Sequence, residues 1–410
     1  MNFRKFSHSI ILVLLIGIIF SCQRLPVNHL TLYQRSLVID NEEVEKQILA
    51  KASVKTVEGI KLIKVKGTPY EMGFQHGRLL SEEVRASITH VLNLAKYIAP
   101  IEVLDEVYDL MEPYIPIQEK EEMRGLAHGA GIPLRIVHWF HAIPELAEYG
   151  PKKRFQHQLI PTSCSNIAAF GKATQNGKLY QLRVLDWIRD LGVQQWPIVL
   201  IHKPDHGYAS ANFSYAGLIG CVTGMNEKHM AFGEMGYGNP VGERLDGIPF
   251  IFLFRKLMRE SDCIETASEI IADARRTCSY VYLIGSAKEH NAILYVTSPD
   301  EVKMFQENIV LIDNIHHDVY HAVDDVVYGG AKTEVLFEEI SKNYGKISPE
   351  IFMQMTKPIS LKGNMQNVVF DLAELKAWVS NASTQKGESG KACHQPWVTF
   401  NFEEEFRNGN

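Results

Sequence analysis

Cys164 heads a strand-like run, Cys164 to Phe170, and a second run from Lys178 to Leu185 carries Arg183 and leads into Asp186. Thiol, guanidinium and carboxylate are the groups nucleophilic acyl chemistry uses: the thiol attacks a carbonyl while charged neighbours orient it and tune its ionisation. Taken alone, a cysteine before an alternating strand is usually a core residue, and Arg183 with Asp186 could be a surface ion pair. What surrounds them therefore decides the reading.

The two runs are separated by a segment containing Asn176-Gly177, a hairpin signal. A two-residue loop there would pair Cys164 with Arg189 and Asp186 with Ile167, leaving Asp186 about 10 Å along the strand from Cys164 at about 3.3 Å per residue. Arg183 and Asp186 are an odd number apart, so a regular strand points them to opposite faces. A longer loop, a bulge or a shifted register is needed to bring the three together.

The elements that must position them fall into two regions. Ile60, Leu62, Ile63 and Val65 form a short strand that stops at Gly67-Thr68-Pro69, and helical patterns dominate from Tyr70 to Tyr149. Gly150-Pro151-Lys152-Lys153-Arg154 then reads as an exposed link that tolerates cutting. Beyond Cys164 the pattern predicts strands at Ile198 to His202, His229 to Met235, Ser279 to Gly285, Ala292 to Val296 and Lys303 to Gln306, with helices at Pro249 to Arg259 and Ile264 to Ala274. Strands, grouped helices and strands again make an α+β layered pattern.

Cys164 opening a strand, a hairpin and then Arg183-x-x-Asp186-Trp187 resembles the conjugated bile salt hydrolase and penicillin acyltransferase superfamily of N-terminal-nucleophile hydrolases. Upstream, Gly67 to Gly73 with Gln75-His76-Gly77 looks like the opening of the isopenicillin N acyltransferase propeptide. Downstream, Ala216 to Gly220 with Thr223 to Lys228 is similar to that family's Gly-x-Asn-Glu-Lys segment, and Asn364 to Trp378 resembles its late strands. The resemblance spans roughly Gly67 to Phe402. It implies a four-layer αββα sandwich, with residues 164–410 as the catalytic core and 57–163 as a helical propeptide that stays bound or is displaced.

It also implies self-cleavage between Ser163 and Cys164. A free thiol titrates near 8.5 and a free α-amine near 7.7–8.0, so a cysteine at a new N-terminus supplies nucleophile and base in one residue, whereas the uncut amide has no basicity. Arg183 would favour the thiolate and orient the substrate, Asp186 would hold the new amine, and Asn314, in Ile312-Asp313-Asn314-Ile315-His316-His317, would donate to the oxyanion. Asn226 reads as a turn residue, and His76 and His128 read as structural. Three departures stand out. Ser163 replaces the glycine usual before the nucleophile, His229 replaces a glycine after Asn-Glu-Lys, and no arginine lies between Asn314 and Lys332, which argues against bile salts.

The chain has 410 residues, 46% of them hydrophobic, enough for a sizeable core. Met1 to Lys5 and the apolar run Ile10 to Phe20 form a leader, too short for the ~20 residues of a spanning helix. Ile19-Phe20-Ser21-Cys22 resembles a bacterial lipobox, so Cys22 is expected to carry the lipid, residues 22–56 to form a tether and the protein to sit lipid-anchored in the cell envelope. Losing residues 1–21 removes Arg4 and Lys5 and takes the formal charge from −6 to −8, with no basic stripe for nucleic acid. Cys221, Cys263, Cys278 and Cys393 match no zinc spacing and read mostly as buried small hydrophobes. No metal or organic cofactor is called for. The expected reaction is attack on a linear amide of an N-acylated amine or amino acid, with acyl transfer to water or an amine. An ester or phospholipid acyl hydrolase on the same fold and a non-catalytic lipoprotein binding module remain alternatives.

Overall fold

A computed structural model describes residues 42–97, 99–154, 164–237, 242–306, 311–313 and 318–407. Cys22, Ser163 and Asn314 lie outside them. The N-terminal region begins with helix α1 (Glu42–Leu49) and a hairpin of β1 (Ser53–Val57) and β2 (Ile60–Gly67). Glu58 and Gly59, both at positive φ, make its two-residue turn. β1 overlaps the end of the stretch, residues 22–56, expected to be a tether. Its side chains are nearly all exposed, so it carries no apolar alternation to read and is held by its ladder to β2.

Five helices follow: α2 (Pro69–Leu79), α3 (Ser81–Ala95), α4 (Ile101–Met111), α5 (Ile117–Ala130) and α6 (Leu134–Arg154). Thr68 and Glu71 cap α2 reciprocally, which is why the chain turns into a helix directly after Gly67. α2 and α5 cross with almost no space between their backbones. A Cβ on Gly73 would stand 1.9 Å from the Glu122 carbonyl oxygen, and one on Gly125 2.0 Å from that of Tyr70. The glycines of the Tyr70 to Gly77 motif therefore serve helix packing.

The second region supplies β3 (Ser165–Gly171), β4 (Gly177–Asp186), β5 (Pro197–Pro204), β6 (Ser210–Tyr215), β7 (Thr223–Asn226), β8 (Met230–Gly236), α7 (Phe250–Glu260), α8 (Ile264–Asp273), β9 (Tyr280–Ser286), β10 (Asn291–Thr297) and β11 (Val302–Phe305). Then come the short pair β12 (Leu311–Asp313) and β13 (Asp318–Tyr320), β14 (Val326–Gly330), α9 (Thr333–Asn343), α10 (Pro349–Ile359), β15 (Asn364–Asp371), β16 (Lys376–Asn381), β17 (Val398–Asn401) and α11 (Glu403–Arg407). A nine-stranded sheet runs β1-β2-β5-β6-β7-β8-β9-β10-β11, and a six-stranded sheet runs β14-β3-β4-β15-β16-β17. The β2–β5 pairing is parallel, so the region before Cys164 contributes two strands to the large sheet as well as helices.

The sheets face each other, β3, β4 and β14 packing on β8, β9 and β10. α7 and α8 cover the outer side of the large sheet together with α2, α5 and α6, and α9 and α10 cover the outer side of the small one. The result is the α+β four-layer αββα sandwich expected. Along β4, Leu179, Gln181, Arg183 and Leu185 point between the sheets, while Tyr180, Leu182 and Val184 pack with Leu336, Phe352 and Met355 beneath the small sheet.

Candidate active site

The β3–β4 ladder pairs Ser165 with Val184 and Asn166 with Arg183, four residues out of step with a two-residue turn at Asn176-Gly177. Gly171, at φ 54°, ends β3 early, and Asp325 accepts from the Lys172 amide. Residues 172–176 then form the connection, and Asn176 Oδ1 accepts from the Lys178 amide at 3.2 Å. Continued, this register sets Cys164 opposite Leu185, with Asp186 the next residue along. The gap falls from about 10 Å to about one residue step. Cys164 Sγ lies 3.9 Å from the Asp186 carbonyl oxygen.

Arg183 and Asp186 do take opposite faces, as their spacing predicts, and Cys164 sits at the end of the strand pair where both are near. Arg183 is fully buried between the sheets. Its Nη2 is 3.6 Å from Glu234 Oε2 on β8, and Nη1 donates to the Val184 carbonyl. Room for it comes from Gly233, where a Cβ would stand 2.1 Å from Asn166 Oδ1 and 3.1 Å from Arg183 Cδ. Asp186, also fully buried, accepts from the Leu361 amide at 3.1 Å through Oδ1, and its Oδ2 has no hydrogen-bond partner among the described residues. A bulge at Met365 in β15 faces it and turns the Met365 side chain into the cleft.

Burial pushes the Cys164 thiol up to about 12, against the pull of Arg183 and with Glu234 and Asp186 adding to the rise. The sequence-based expectation that Arg183 favours a thiolate is thus outweighed by desolvation: in the uncut chain the sulfur carries its proton at neutral pH. Burial likewise raises the Asp186 carboxyl to about 7, while the Leu361 amide, Asn364, Arg183 and Lys332 act to lower it.

Cys164 opens into a narrow cleft. Its walls are apolar: Val91 from α3, Phe140 and Ile143 from α6, and Trp187, Leu218 and Phe250 from the second region. Two carboxylates, Glu148 and Glu234, also reach it. Sequence reasoning missed Glu234, which stands beyond the Gly-x-Asn-Glu-Lys segment, and missed the share of α6 in the cleft. Both belong to contacts between elements distant in the chain. Asn226 ties its own turn, accepting from the Lys228 amide at 3.1 Å, and His76 and His128 bond to Gly217 and Tyr70. The five described cysteines are free thiols, and Cys221, Cys278 and Cys393 are buried as expected. No group of three or more metal-binding side chains occurs among the described residues.

Residues 175–373 match the model of the family described as acyl-coenzyme A:6-aminopenicillanic acid acyl-transferase, in line with the resemblance read from the sequence. The match begins after Cys164 and takes in Arg183, Asp186 and Glu234. Among proteins of similar sequence, dcd1A of Dictyostelium discoideum is 28% identical, with 80% of each chain covered, and dcd1B of the same organism is 24% identical, covering 79% of this chain and 69% of that protein. The solved N-acylethanolamine-hydrolyzing acid amidase ortholog of Caenorhabditis elegans aligns over 51% of this chain and 93% of its own, at 9% identity and a TM-score of 0.39.

Proposed function

We propose that the protein is a self-cleaving cysteine hydrolase or acyltransferase of N-acyl amides, with Cys164 as nucleophile. The observation that carries this reading is the β3–β4 register, which gathers Cys164, Arg183 and Asp186 at one end of the strand pair, where Cys164 lines an apolar cleft. In the precursor the Cys164 thiol attacks the Ser163 carbonyl, the nitrogen of Cys164 leaves as an amine, and water hydrolyses the thioester, freeing residues 22–163 from 164–410. The new α-amine then takes the Sγ proton as the sulfur attacks a substrate amide, so no preformed thiolate is needed. Asp186 Oδ2 is free to accept from that amine and hold it toward the sulfur.

Arg183, held by Glu234, orients the substrate, and Asn314 donates to the oxyanion, a contribution of a hundredfold or more in rate for one such donor. The protonated amine passes its proton to the leaving nitrogen, and water or an acceptor amine takes the acyl group from Cys164. The apolar walls select an apolar acyl chain. The β2–β5 pairing keeps the two fragments together as a heterodimer. The leader and Cys22 pattern supports a lipid tether in the cell envelope. No helix among the described residues is long and apolar enough to cross a membrane.

Intact-mass spectrometry with N-terminal sequencing tests the proposal. The wild type should yield a fragment starting at Cys164 with a free amine, and Cys164→Ala should stay whole and inactive on a panel of N-acyl amides and matched esters. A whole wild-type chain that still turns over amides would sink the N-terminal-nucleophile mechanism.

A further inference from the structure

The segment following β14 touches both sides of the site. The Ala331 amide donates to the Cys164 carbonyl at 3.1 Å, and the Lys332 Nζ donates to the carbonyls of Pro358 at 2.9 Å and Ser360 at 2.8 Å, where α10 ends. The Ser360 carbonyl shares a peptide unit with the Leu361 amide, and that amide donates to Asp186 Oδ1 at 3.1 Å. An ammonium on the oxygen of a peptide polarises its N–H, and linked hydrogen bonds strengthen each other; Lys332 is exposed, while the carboxylate at the far end of the chain of bonds is fully buried. Lys332 itself is held at φ 55°, a left-handed conformation unfavourable for a residue with a β-carbon.

We infer that Lys332 is a positioning residue that keeps the Asp186 carboxylate ionised through the Ser360–Leu361 peptide. Deep burial makes that carboxylate hard to keep charged, and a neutral carboxylic acid is a poor anchor for a protonated amine. The inference rests on the proposed role of Asp186 but describes a property of the folded chain before any catalysis. The groups facing Asp186 are Arg183 on its own strand, Cys164 at the strand pair's end, Lys332 at the start of α9, and Asn364 and Cys393 behind it. Of these, Lys332 is the cation that acts through a peptide hydrogen bond to the carboxylate.

A lysine that merely caps the last carbonyls of α10 would affect stability and leave the titration of Asp186 alone. Infrared difference spectra separate the two roles. In the Cys164→Ala chain, which stays whole, the carboxyl band lost in Asp186→Asn reports the midpoint of Asp186. Lys332→Met and Lys332→Gln should raise that midpoint by about half to one pH unit, a three- to tenfold loss of carboxylate below it, and Lys332→Arg should restore it. An unmoved midpoint in both neutral variants, or no restoration by arginine, overturns the inference. Should the midpoint move while the wild-type enzyme cleaves no amide, the relay stands and the proposed reaction falls. In the active enzyme the acidic limb of the pH–rate profile should move with the midpoint.

Discussion

Replacing Glu122 by glutamine should loosen the two regions from each other, because Glu122 of α5 lies at the centre of a charge network between them. Its Oε1 is 2.9 Å from His202 Nε2 on β5 and its Oε2 accepts from Arg255 Nη2 on α7 at 2.7 Å, while Arg259 pairs with neighbouring Glu119. Glu122, His202 and Arg255 are all buried. Burial alone would raise the Glu122 carboxyl, but Arg255 and His202 outweigh it and hold it at about 2. Against an ordinary value of 4.5, at 1.36 kcal/mol per unit, this is about 3 kcal/mol, in line with the ~3–5 kcal/mol lost when one partner of a buried pair is removed.

The sign follows from the direction of the shift. A carboxyl depressed in the folded state contributes fully above its unfolded value and loses that contribution as pH falls toward 2. Urea unfolding of the Cys164→Ala chain at pH 7.5, followed by tryptophan fluorescence, should show the Gln variant about 3–5 kcal/mol less stable, with the gap narrowing below pH 4.5. In the cut protein the same substitution should let residues 22–163 and 164–410 separate on gel filtration. Equal unfolding midpoints for the two chains at pH 7.5 would refute the reasoning.

Asp186→Asn should abolish amide turnover and yet raise stability at pH 8. A carboxyl raised by burial to about 7 destabilises the fold once ionised, so calorimetry should show the advantage shrinking as pH falls toward 4. Gly233→Ala drives a methyl group into Asn166 and Arg183, and overpacking of this kind costs about 1–3 kcal/mol; mass spectrometry should find self-cleavage slowed more than thermal unfolding shows destabilisation. Phe140→Ala opens the α6 wall of the cleft and should shift kcat/KM toward longer acyl chains by about tenfold or more relative to short ones, read from a chain-length series. Cys22→Ser should move the active protein from the membrane fraction to the soluble fraction, as fractionation would show.

Much of the architecture was legible because it is set locally. The predicted strands from Ile198 to Gln306 and both central helices appear within a residue or two, since each announces itself by its own apolar period. Cys164 and the Arg183-x-x-Asp186 pair were likewise visible as residue types in order along the chain. Register was not. Asn176-Gly177 reads as a two-residue turn, but Gly171 and Asp325 end β3 early, and the resulting four-residue displacement is what places Asp186 beside Cys164. β1 escaped notice because an exposed edge strand has no apolar face to betray it.

The sequence by itself determined which segments become strands and helices, that a thiol would head β3 and that the layers would be α+β. Only the tertiary structure decided that Glu234 meets Arg183, that α6 walls the cleft, that Lys332 reaches Asp186 through a peptide, and that burial leaves the thiol protonated. Periodicity and capping act over a few residues, whereas desolvation and ion pairing depend on what folding brings together from distant parts of the chain.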